Sequence, residues 1–405
     1  MDADKIRRDF PILDQEGGPF VYLDNGATTQ KPQAVIDRLC RYYSQENSNI
    51  HRGSYPLSSQ ASRMYERARE TVRTWVDAEY AEEIVFTKGC TESVNLAAAA
   101  VFETYVRTGD NVIVTELEHS SNYFPWKSQC EKKGAELRAA LAESDGSLRA
   151  DDVLELVDSR TRLIAVTAMS NVTGFCPDVN RIIKEAHRRG VLVLVDAAQA
   201  IVHQVISVRR MDCDFLCFSG HKLYGPMGIG VLYGRKVYLE EMAPYLYGGD
   251  MVVKGDRGEI SYKRSSGKYE AGTQNIAGAL GLEAALVYLQ SLGMEEILRY
   301  EAELGAYLRE CLEAVKGVHI IGEYEGALQV PPMAVFEADN LGAYDIGVLL
   351  ANYGIAVRCG SHCAYPLMKR MGKESLCRVS LAFYNTKQEI AYMAERLERI
   401  CGRGS

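Results

Sequence analysis

The stretch FSGHKLYGP, residues 218–226, places a lysine at the point where an apolar run ends. Residues 214–218 are typical of a buried strand, and the Gly225-Pro226 pair stops regular structure soon after Lys222. The carboxyl end of a strand is where α/β sheets bind their ligands. A lysine in this position is therefore either a solvated surface charge or a reactive amine, and the ends of the other strands bear on the choice.

Strand-like and helix-like segments alternate through the middle of the chain. Strands are predicted over residues 83–87, 111–115, 162–167, 191–195, 214–218 and 229–233, and helices over 91–102 and 179–188. Continuous β-branched runs suit strands that are buried on both faces, and the alternation predicts an α/β fold with a mostly parallel sheet covered by helices.

The character of the sequence changes after Gly272. Two long helices are predicted over 277–289 and 294–315, followed by short strands near 319–321, 334–337 and 356–358 and a helix from Lys387. This pattern indicates a smaller α+β domain. We expect a large domain over residues 18–289 and a small domain formed by residues 1–17 and 290–405.

Composition excludes several classes of function. The chain has 405 residues and a net charge of −8 without a basic block, so we expect neither nucleic acid nor a membrane surface as a partner. The eleven cysteines are irregularly spaced, and no signal peptide or long apolar run is visible. These features predict reduced thiols and a cytoplasmic location. No CxxC pair is present, so no metal site is expected.

Polar side chains follow five of the predicted strands. In chain order they are Thr91, His119, Asn171, the pair Asp196 and Gln199, and the group Ser219, His221 and Lys222. Each has an ordinary alternative, such as a helix cap for Thr91 and Asp196 or a satisfied loop residue for His119. Because parallel strands end at one edge of a sheet, we expect these side chains to converge on one site.

This set of side chains meets the needs of pyridoxal phosphate. Lys222 is the amine for a Schiff base, and Asp196 is the acid that keeps the ring nitrogen protonated. The helix start at Thr91, with Ser219 and His221, is a site for the phosphate. In the same interpretation His119 stacks on the ring, and Gln199 donates to the phenolic oxygen.

The chain resembles the fold-type I pyridoxal-phosphate enzymes of the class V aminotransferase family. More narrowly, it resembles the SUF-type (group II) cysteine desulfurases, which include selenocysteine lyases. The resemblance rests on these segments: LDNGATTQKP (23–32), NSNIHRG (47–53), TKGCTESVNL (87–96), EHSSNYFPW (118–126), SNVTG (170–174), VDAAQ (195–199), SGHKLYGP (219–226), YEAGTQN (269–275) and RCGSHCAYPLM (358–368). It implies a homodimer with its active site at the interface, where Thr273 contacts the phosphate held by the neighbouring subunit.

The sulfur chemistry expected from the resemblance needs a thiolate and a carboxylate clamp. Cys363, in a loop flanked by Arg358 and His362, matches the persulfide cysteine of the family. Positive charges on these two neighbours are expected to favour its thiolate where they lie close. By itself, Cys363 is more commonly a small buried residue. Arg378 matches the carboxylate-binding arginine, with a supporting hydrogen bond from Asn171; by itself it is a strand-end charge.

The expected reaction converts L-cysteine to L-alanine. Lys222 removes the Cα proton, the Cys363 thiolate takes the sulfur as a persulfide, and His119 shuttles a proton. The resemblance also admits L-selenocysteine as a substrate. It further implies a sulfur-acceptor protein and a role in sulfur mobilisation such as iron–sulfur cluster assembly.

The chain departs from the family pattern at four positions. Ser120, Tyr55 and Met169 stand where the family often has histidine, and Cys90 stands where it often has threonine. Two alternatives to a desulfurase stay open: another pyridoxal-phosphate reaction such as a C–S β-lyase or an aminotransferase-like reaction, and a non-catalytic carrier of sulfur or metal.

Overall fold

The computed structural model describes residues 1–14, 20–255, 260–322 and 330–402. Its helices are α1 Ala3–Arg7, α2 Gln33–Arg41, α3 Pro56–Trp75, α4 Cys90–Thr104, α5 Ser120–Lys133, α6 Ala150–Leu154, α7 Val179–Arg188, α8 Ala200–His203, α9 Val208–Met211, α10 Lys236–Glu241, α11 Ile276–Leu292, α12 Met294–Glu313, α13 Ala343–Ala351, α14 Tyr365–Arg370 and α15 Lys387–Gly402. Its strands are β1 Val21–Tyr22, β2 Ile84–Thr87, β3 Asn111–Thr115, β4 Glu136–Ala140, β5 Thr161–Thr167, β6 Leu192–Asp196, β7 Phe215–Ser219, β8 Gly230–Gly234, β9 Val252–Gly255, β10 Ile260–Tyr262, β11 Val318–Ile321, β12 Met333–Ala338, β13 Ile355–Ala356, β14 Arg358–Gly360 and β15 Leu376–Ser380.

The central sheet has seven strands in the order β2-β8-β7-β6-β5-β3-β4. Strand β8 is antiparallel to both of its neighbours, β2 and β7. All other neighbouring strands in the sheet are parallel, so six of the seven strands run in the same direction. Strands β2, β3, β7 and β8 are buried along their whole length. The predicted α/β fold with a mostly parallel sheet is therefore confirmed.

Helix α7 illustrates how the sequence dictates the helices that cover the sheet. The side chain of Asp178 accepts a hydrogen bond from the Arg181 N–H and caps the first turn. Val179, Ile182 and Ile183 lie on the buried face, and burial of each contributes about 1.5–3 kcal/mol. The helix packs against β6 and ends as predicted, at Arg188.

A second, antiparallel sheet has the strand order β11-β12-β15-β14 and packs against α12 and α13, which in turn pack against α15. The single strand predicted near 356–358 is in fact two strands. β13 pairs with β1, while β14 pairs with β15, so two strands separated by one residue join different sheets. Hydrophobic pattern alone does not report pairing partners, which explains the error. β15, the strand that carries Arg378, pairs with β12 and β14 and completes this sheet.

The amino-terminal segment contacts both parts of the chain. Arg7 forms an ion pair with Glu389 at 2.9 Å, and the buried Phe10 ring packs against Tyr224 and Tyr384. The division into a large domain (18–289) and a small domain (1–17 and 290–405) stays a prediction.

Within the described ranges, no single helix is long and apolar enough to cross a membrane. Helices α11 and α12, which meet at an angle of 81°, satisfy that criterion only as a bent pair, by length and composition.

Candidate active site

The carboxyl ends of the central strands meet the edge of the antiparallel sheet around a cavity of about 190 Å³. All predicted site residues except Gln199 and Thr273 line it. The full lining is Gly26, Ala27, Cys90, Thr91, His119, Ser121, Asn171, Asp196, Ala198, Ser219, His221, Lys222, Arg358, His362, Cys363 and Arg378. The expected convergence of strand ends is therefore what the fold produces.

Lys222 ends a short 3₁₀ turn that directly follows β7. Burial lowers the pKa of the Lys222 amine, and the nearby Asp196 carboxylate raises it by a smaller amount. The amine is therefore more easily deprotonated than that of an exposed lysine. Two side chains from a distant segment hold this turn in place. The His221 carbonyl accepts hydrogen bonds from Thr28 Oγ1 at 3.0 Å and from Lys31 Nζ at 3.0 Å. Sequence reasoning missed this support, although both residues lie in the LDNGATTQKP segment.

Asp196 ends β6, beside the strand that leads to Lys222, and is 4% exposed. Its Oδ1 accepts hydrogen bonds from the Ala198 N–H at 2.8 Å and from Cys90 Sγ at 3.4 Å. These contacts fix the carboxylate at the floor of the cavity.

The first turn of α4 lies at one end of the cavity, where Cys90 and Thr91 line it. Its N-terminus is fixed by Ser219, whose Oγ accepts a hydrogen bond from the Cys90 N–H at 2.8 Å. Strand β8 passes very close to the residue before this helix. A Cβ on Gly230 would lie only 2.4 Å from the Gly89 Cα, so the position requires glycine. Thr91 Oγ1 lies 2.7 Å from Ser121 Oγ, a residue that sequence reasoning did not single out. Backbone N–H groups and the helix dipole favour a phosphate at such a site.

His119 caps α5, and its Nδ1 accepts a hydrogen bond from the Ser121 N–H at 3.1 Å. Burial and the nearby Lys222 lower its pKa to about 4, so the imidazole is neutral at neutral pH. The preceding residue, Glu118, is buried and accepts hydrogen bonds from the Thr167 N–H at 2.9 Å and from Asn122 Nδ2 at 2.6 Å. Burial raises the pKa of Glu118 to about 8. Glu118 therefore ties β5 and α5 together beneath His119, a role that its sequence context did not reveal.

The loop that carries Cys363 leaves the end of β14. His362 and Cys363 adopt left-handed backbone conformations, with φ values of 51° and 55°. The Cys363 carbonyl accepts hydrogen bonds from the Ser120 N–H and Oγ, both at 2.7 Å, and the His362 carbonyl accepts one from Asn171 Nδ2 at 2.8 Å. Ser120, one of the departures from the family pattern, thus anchors this loop.

His362 does not supply the positive charge expected beside Cys363. Its ring is 5% exposed and lies 3.0 Å from the Leu376 carbonyl, and burial lowers its pKa to about 3. The imidazole is therefore neutral, and Arg358 is the cation of this loop that lines the cavity. The expectation for His362 was wrong because burial outweighs the neighbouring carbonyl.

Arg378 projects from β15 and is 2% exposed. Its Nη1 donates to the Asn171 carbonyl at 2.6 Å, and its Nη2 donates to Asp24 Oδ1 at 3.1 Å. Within the described residues, Arg378 Nε and Asn171 Oδ1 are buried without a hydrogen-bond partner. Buried polar groups are normally paired, so these two atoms mark a place for a polar ligand group.

Two predicted residues lie outside the cavity lining. Gln199 is 4% exposed, and its Nε2 donates to the Gly26 carbonyl at 2.9 Å, so it supports the wall of the cavity. Thr273 is exposed on the surface, in a segment held by a hydrogen bond from the Gly272 N–H to the Gly249 carbonyl at 2.8 Å. Of the other departures, Tyr55 is half-exposed and Met169 is buried.

The donor set fits pyridoxal phosphate: a depressed-pKa lysine, a fixed carboxylate and a helix start share one cavity. A parallel sheet with such a site defines the class of fold-type I pyridoxal-phosphate enzymes. The chain belongs to the aminotransferase class-V family, whose match spans residues 21–393.

Within this family, the chain is similar to several cysteine desulfurases. A cysteine desulfurase of Pectobacterium atrosepticum is 45% identical over 98% of this chain and 97% of its own length. The solved structure of the cysteine desulfurase CsdA of Escherichia coli, an S-sulfonic acid form, has a TM-score of 0.91 and 36% identity and covers 98% of each chain. An apo cysteine desulfurase of Thermococcus onnurineus has a TM-score of 0.94 and 32% identity, covering 99% of this chain and 98% of its own.

Proposed function

We propose that this chain is a pyridoxal-phosphate-dependent cysteine desulfurase, which converts L-cysteine to L-alanine and holds the sulfur on Cys363. The observation that carries the proposal is that Cys363 lines the same cavity as Lys222 and Asp196. A thiol nucleophile, an amine and a fixed acid thus face one small volume. The cysteine desulfurase relatives, which match the chain along nearly its whole length, support the same activity.

The residues that would hold the cofactor follow from their positions. Lys222 would bind it covalently, and Asp196 would face its ring nitrogen. Thr91 and the first turn of α4, with Ser219 and His221, would hold the phosphate; His119 would lie against the ring, and Gln199 would support it. When bound, pyridoxal phosphate supplies an electron sink that makes the substrate Cα–H bond acidic.

The substrate end of the cavity is shaped for an amino acid. The free Arg378 Nε and Asn171 Oδ1 face a place where the substrate carboxylate and amino group would complete their hydrogen bonding. Lys222, with its lowered pKa, is suited to take the Cα proton and to return it. The neutral His119 is suited to move a proton close to the ring.

Cys363 would perform the sulfur step. As a thiolate it bonds to the substrate sulfur while the C–S bond breaks, and the electron pair of that bond stays with carbon. Carbon then takes a proton and leaves as alanine, and Cys363 keeps the sulfur as a persulfide. Arg358 is a cation that lines the same cavity as Cys363.

We further propose a cytoplasmic homodimer that passes its persulfide sulfur to an acceptor protein, for example in iron–sulfur cluster assembly, and that also accepts L-selenocysteine. Support for the dimer is the exposed Thr273, which lies outside the cavity of its own chain yet sits in the EAGTQN segment. Light scattering that reports a monomer at working concentration would contradict the dimer.

The deciding experiment is incubation with L-cysteine, measuring alanine and protein-bound sulfane sulfur together. A desulfurase releases alanine and, before any acceptor is added, loads about one sulfur per Cys363. Pyruvate and free sulfide in place of alanine would identify a C–S β-lyase instead. An absence of the absorption band of a lysine-bound cofactor would support a non-catalytic carrier.

A further inference from the structure

Beneath the cavity, the fold brings together three side chains whose chemistry the proposed reaction does not fully use. The ligand atoms of Cys90, Asp196 and Cys217 all lie within 4.8 Å of one another. The Cys90 Sγ is 3.3 Å from the Cys217 Sγ and 3.4 Å from Asp196 Oδ1. Asp196 and Cys217 are paired residues on the neighbouring strands β6 and β7, and Cys90 begins α4. The cluster therefore stands on rigid elements.

We propose that, in the cofactor-free protein, Cys90, Cys217 and Asp196 bind one thiophilic divalent cation of the Zn²⁺ or Cd²⁺ type. Two thiolates and a carboxylate are a donor set that such cations prefer. Tetrahedral coordination with metal–sulfur bonds of about 2.3 Å requires the two sulfur atoms to separate by only a few tenths of an ångström. Cys90 lines the cavity, which leaves room for a water as the fourth ligand.

Binding balances in atoms and charge. The cation displaces one proton from each thiol, so M²⁺ and two R–SH groups give M(SR)₂ and two protons. With the Asp196 carboxylate, the ligands then carry three negative charges against the two positive charges of the cation. The amine of Lys222, which is free when no cofactor is attached, interacts electrostatically with both Asp196 and Cys90.

The cation and the cofactor exclude each other, because both require Asp196 and both approach through the same cavity. This exclusion rests on the proposed cofactor contact of Asp196, whereas cation binding itself does not. No local sequence pattern indicates the cluster, since Cys90 and Cys217 are 127 residues apart and belong to no CxxC pair.

The chain offers a matched variant for the test. Cys90→Thr introduces the residue that is common at this position in the resembling family and removes one thiolate while keeping a hydroxyl donor beside Asp196. Cys217→Ala removes the second thiolate independently. Cys213→Ala is the control, because Cys213 is also fully buried next to β7 but is not part of the cluster.

The experiment uses the full chain, freed of cofactor with hydroxylamine, reduced, and titrated with Cd²⁺ while the ultraviolet thiolate-to-metal charge-transfer band is recorded. We expect the wild type and Cys213→Ala to bind one equivalent more than Cys90→Thr and Cys217→Ala. The cofactor-loaded protein should lack this equivalent. Added pyridoxal phosphate should regain its lysine-bound absorption band several-fold more slowly in the Cd²⁺-loaded wild type than in Cd²⁺-treated Cys90→Thr.

Equal stoichiometry and equal charge-transfer intensity in the wild type and Cys90→Thr would overturn the cation site, since the remaining cysteines would then account for all binding. Retention of the extra equivalent by the cofactor-loaded protein would overturn the exclusion alone. Neither readout depends on turnover, so a protein that fails the L-cysteine assay still tests the cation site.

Discussion

Lys222 and Asp196 stand at the ends of neighbouring buried strands, whereas Cys363 stands on a loop that leaves the edge of the antiparallel sheet. The first two are fixed by strand pairing and by backbone hydrogen bonds. The loop instead has two consecutive left-handed residues and is tied down through its carbonyls to Ser120 and Asn171. We call the strand ends that carry Lys222 and Asp196 the floor, and the loop that carries Cys363 the arm. Because the proposed cofactor chemistry belongs to the floor and the proposed sulfur chemistry to the arm, substitutions in the two regions are expected to have different effects.

The largest effect is expected from damage to the floor. Lys222→Ala should lower alanine formation by about 10⁴-fold or more, because it removes both the covalent attachment and the base. Borohydride should no longer fix the cofactor to the chain, as mass spectrometry of the reduced protein would report. Fixation at another lysine, such as the half-buried Lys31, would show that the amine of this site has been misassigned.

Damage to the arm should spare the cofactor. In Cys363→Ser a similar-sized side chain lacks the soft nucleophile, so alanine formation from cysteine should fall by about a hundredfold to a thousandfold. The visible spectrum should still show lysine-bound cofactor and should still change on addition of cysteine, and no persulfide should form. Alanine formation at the wild-type rate would refute the separation of floor and arm and would favour the lyase alternative.

The next effect concerns the residue that joins the two regions. Arg378 lies on the antiparallel sheet but donates to the carbonyl of Asn171, which follows a strand of the central sheet. Arg378→Lys keeps the charge but loses the planar fork. Loss of about 1.5–3 kcal/mol for a charge-assisted hydrogen bond lowers kcat/KM by about tenfold to a hundredfold. In steady-state kinetics, most of this loss should appear as a higher KM rather than a lower kcat. An unchanged kcat/KM would show that Arg378 does not bind the substrate carboxylate.

Lowering the pH should destabilise the folded protein through His362. The pKa of His362 is about 3 in the folded protein and about 6.5 in an unfolded chain, so the unfolded state binds more protons between these two pH values. Stability contributed by the neutral ring is therefore present above pH 6.5 and is lost as pH falls towards 3. His362→Gln, which has no titrating ring, should gain about 1–3 kcal/mol relative to the wild type across that window. Thermal midpoints measured in parallel over the window test this expectation, and a constant difference between the two proteins would contradict it.

The sequence predicted the floor more completely than the arm, for a physical reason. Buried parallel strands show as continuous apolar runs, and their ends must share one edge, so Asp196 and Lys222 could be placed together without coordinates. The support from Lys31 and the anchoring by Glu118 depend on side-chain and carbonyl contacts between distant segments, which no local pattern reports. The charge state of His362 escaped prediction for the same reason, because burial is a property of the folded chain.

The smallest effect is expected at Cys359, four residues before Cys363 on the same strand-and-loop segment. Cys359 lies opposite Cys377 in the antiparallel pairing, with the two sulfur atoms 3.3 Å apart, and it does not line the cavity. The hydrogen bond between the Cys359 and Cys377 thiols lowers the pKa of the Cys359 thiol, so reactivity alone would make Cys359 a competing nucleophile. Position argues the other way, because a thiolate outside the cavity cannot reach the substrate sulfur. Cys359→Ser should therefore keep alanine formation within about threefold of the wild type, since serine preserves the side-chain volume in the strand pair. A loss comparable to that of Cys363→Ser, with persulfide mapped by mass spectrometry to residue 359 in the wild type, would show that the sulfur-bearing arm begins at β14 rather than at the loop.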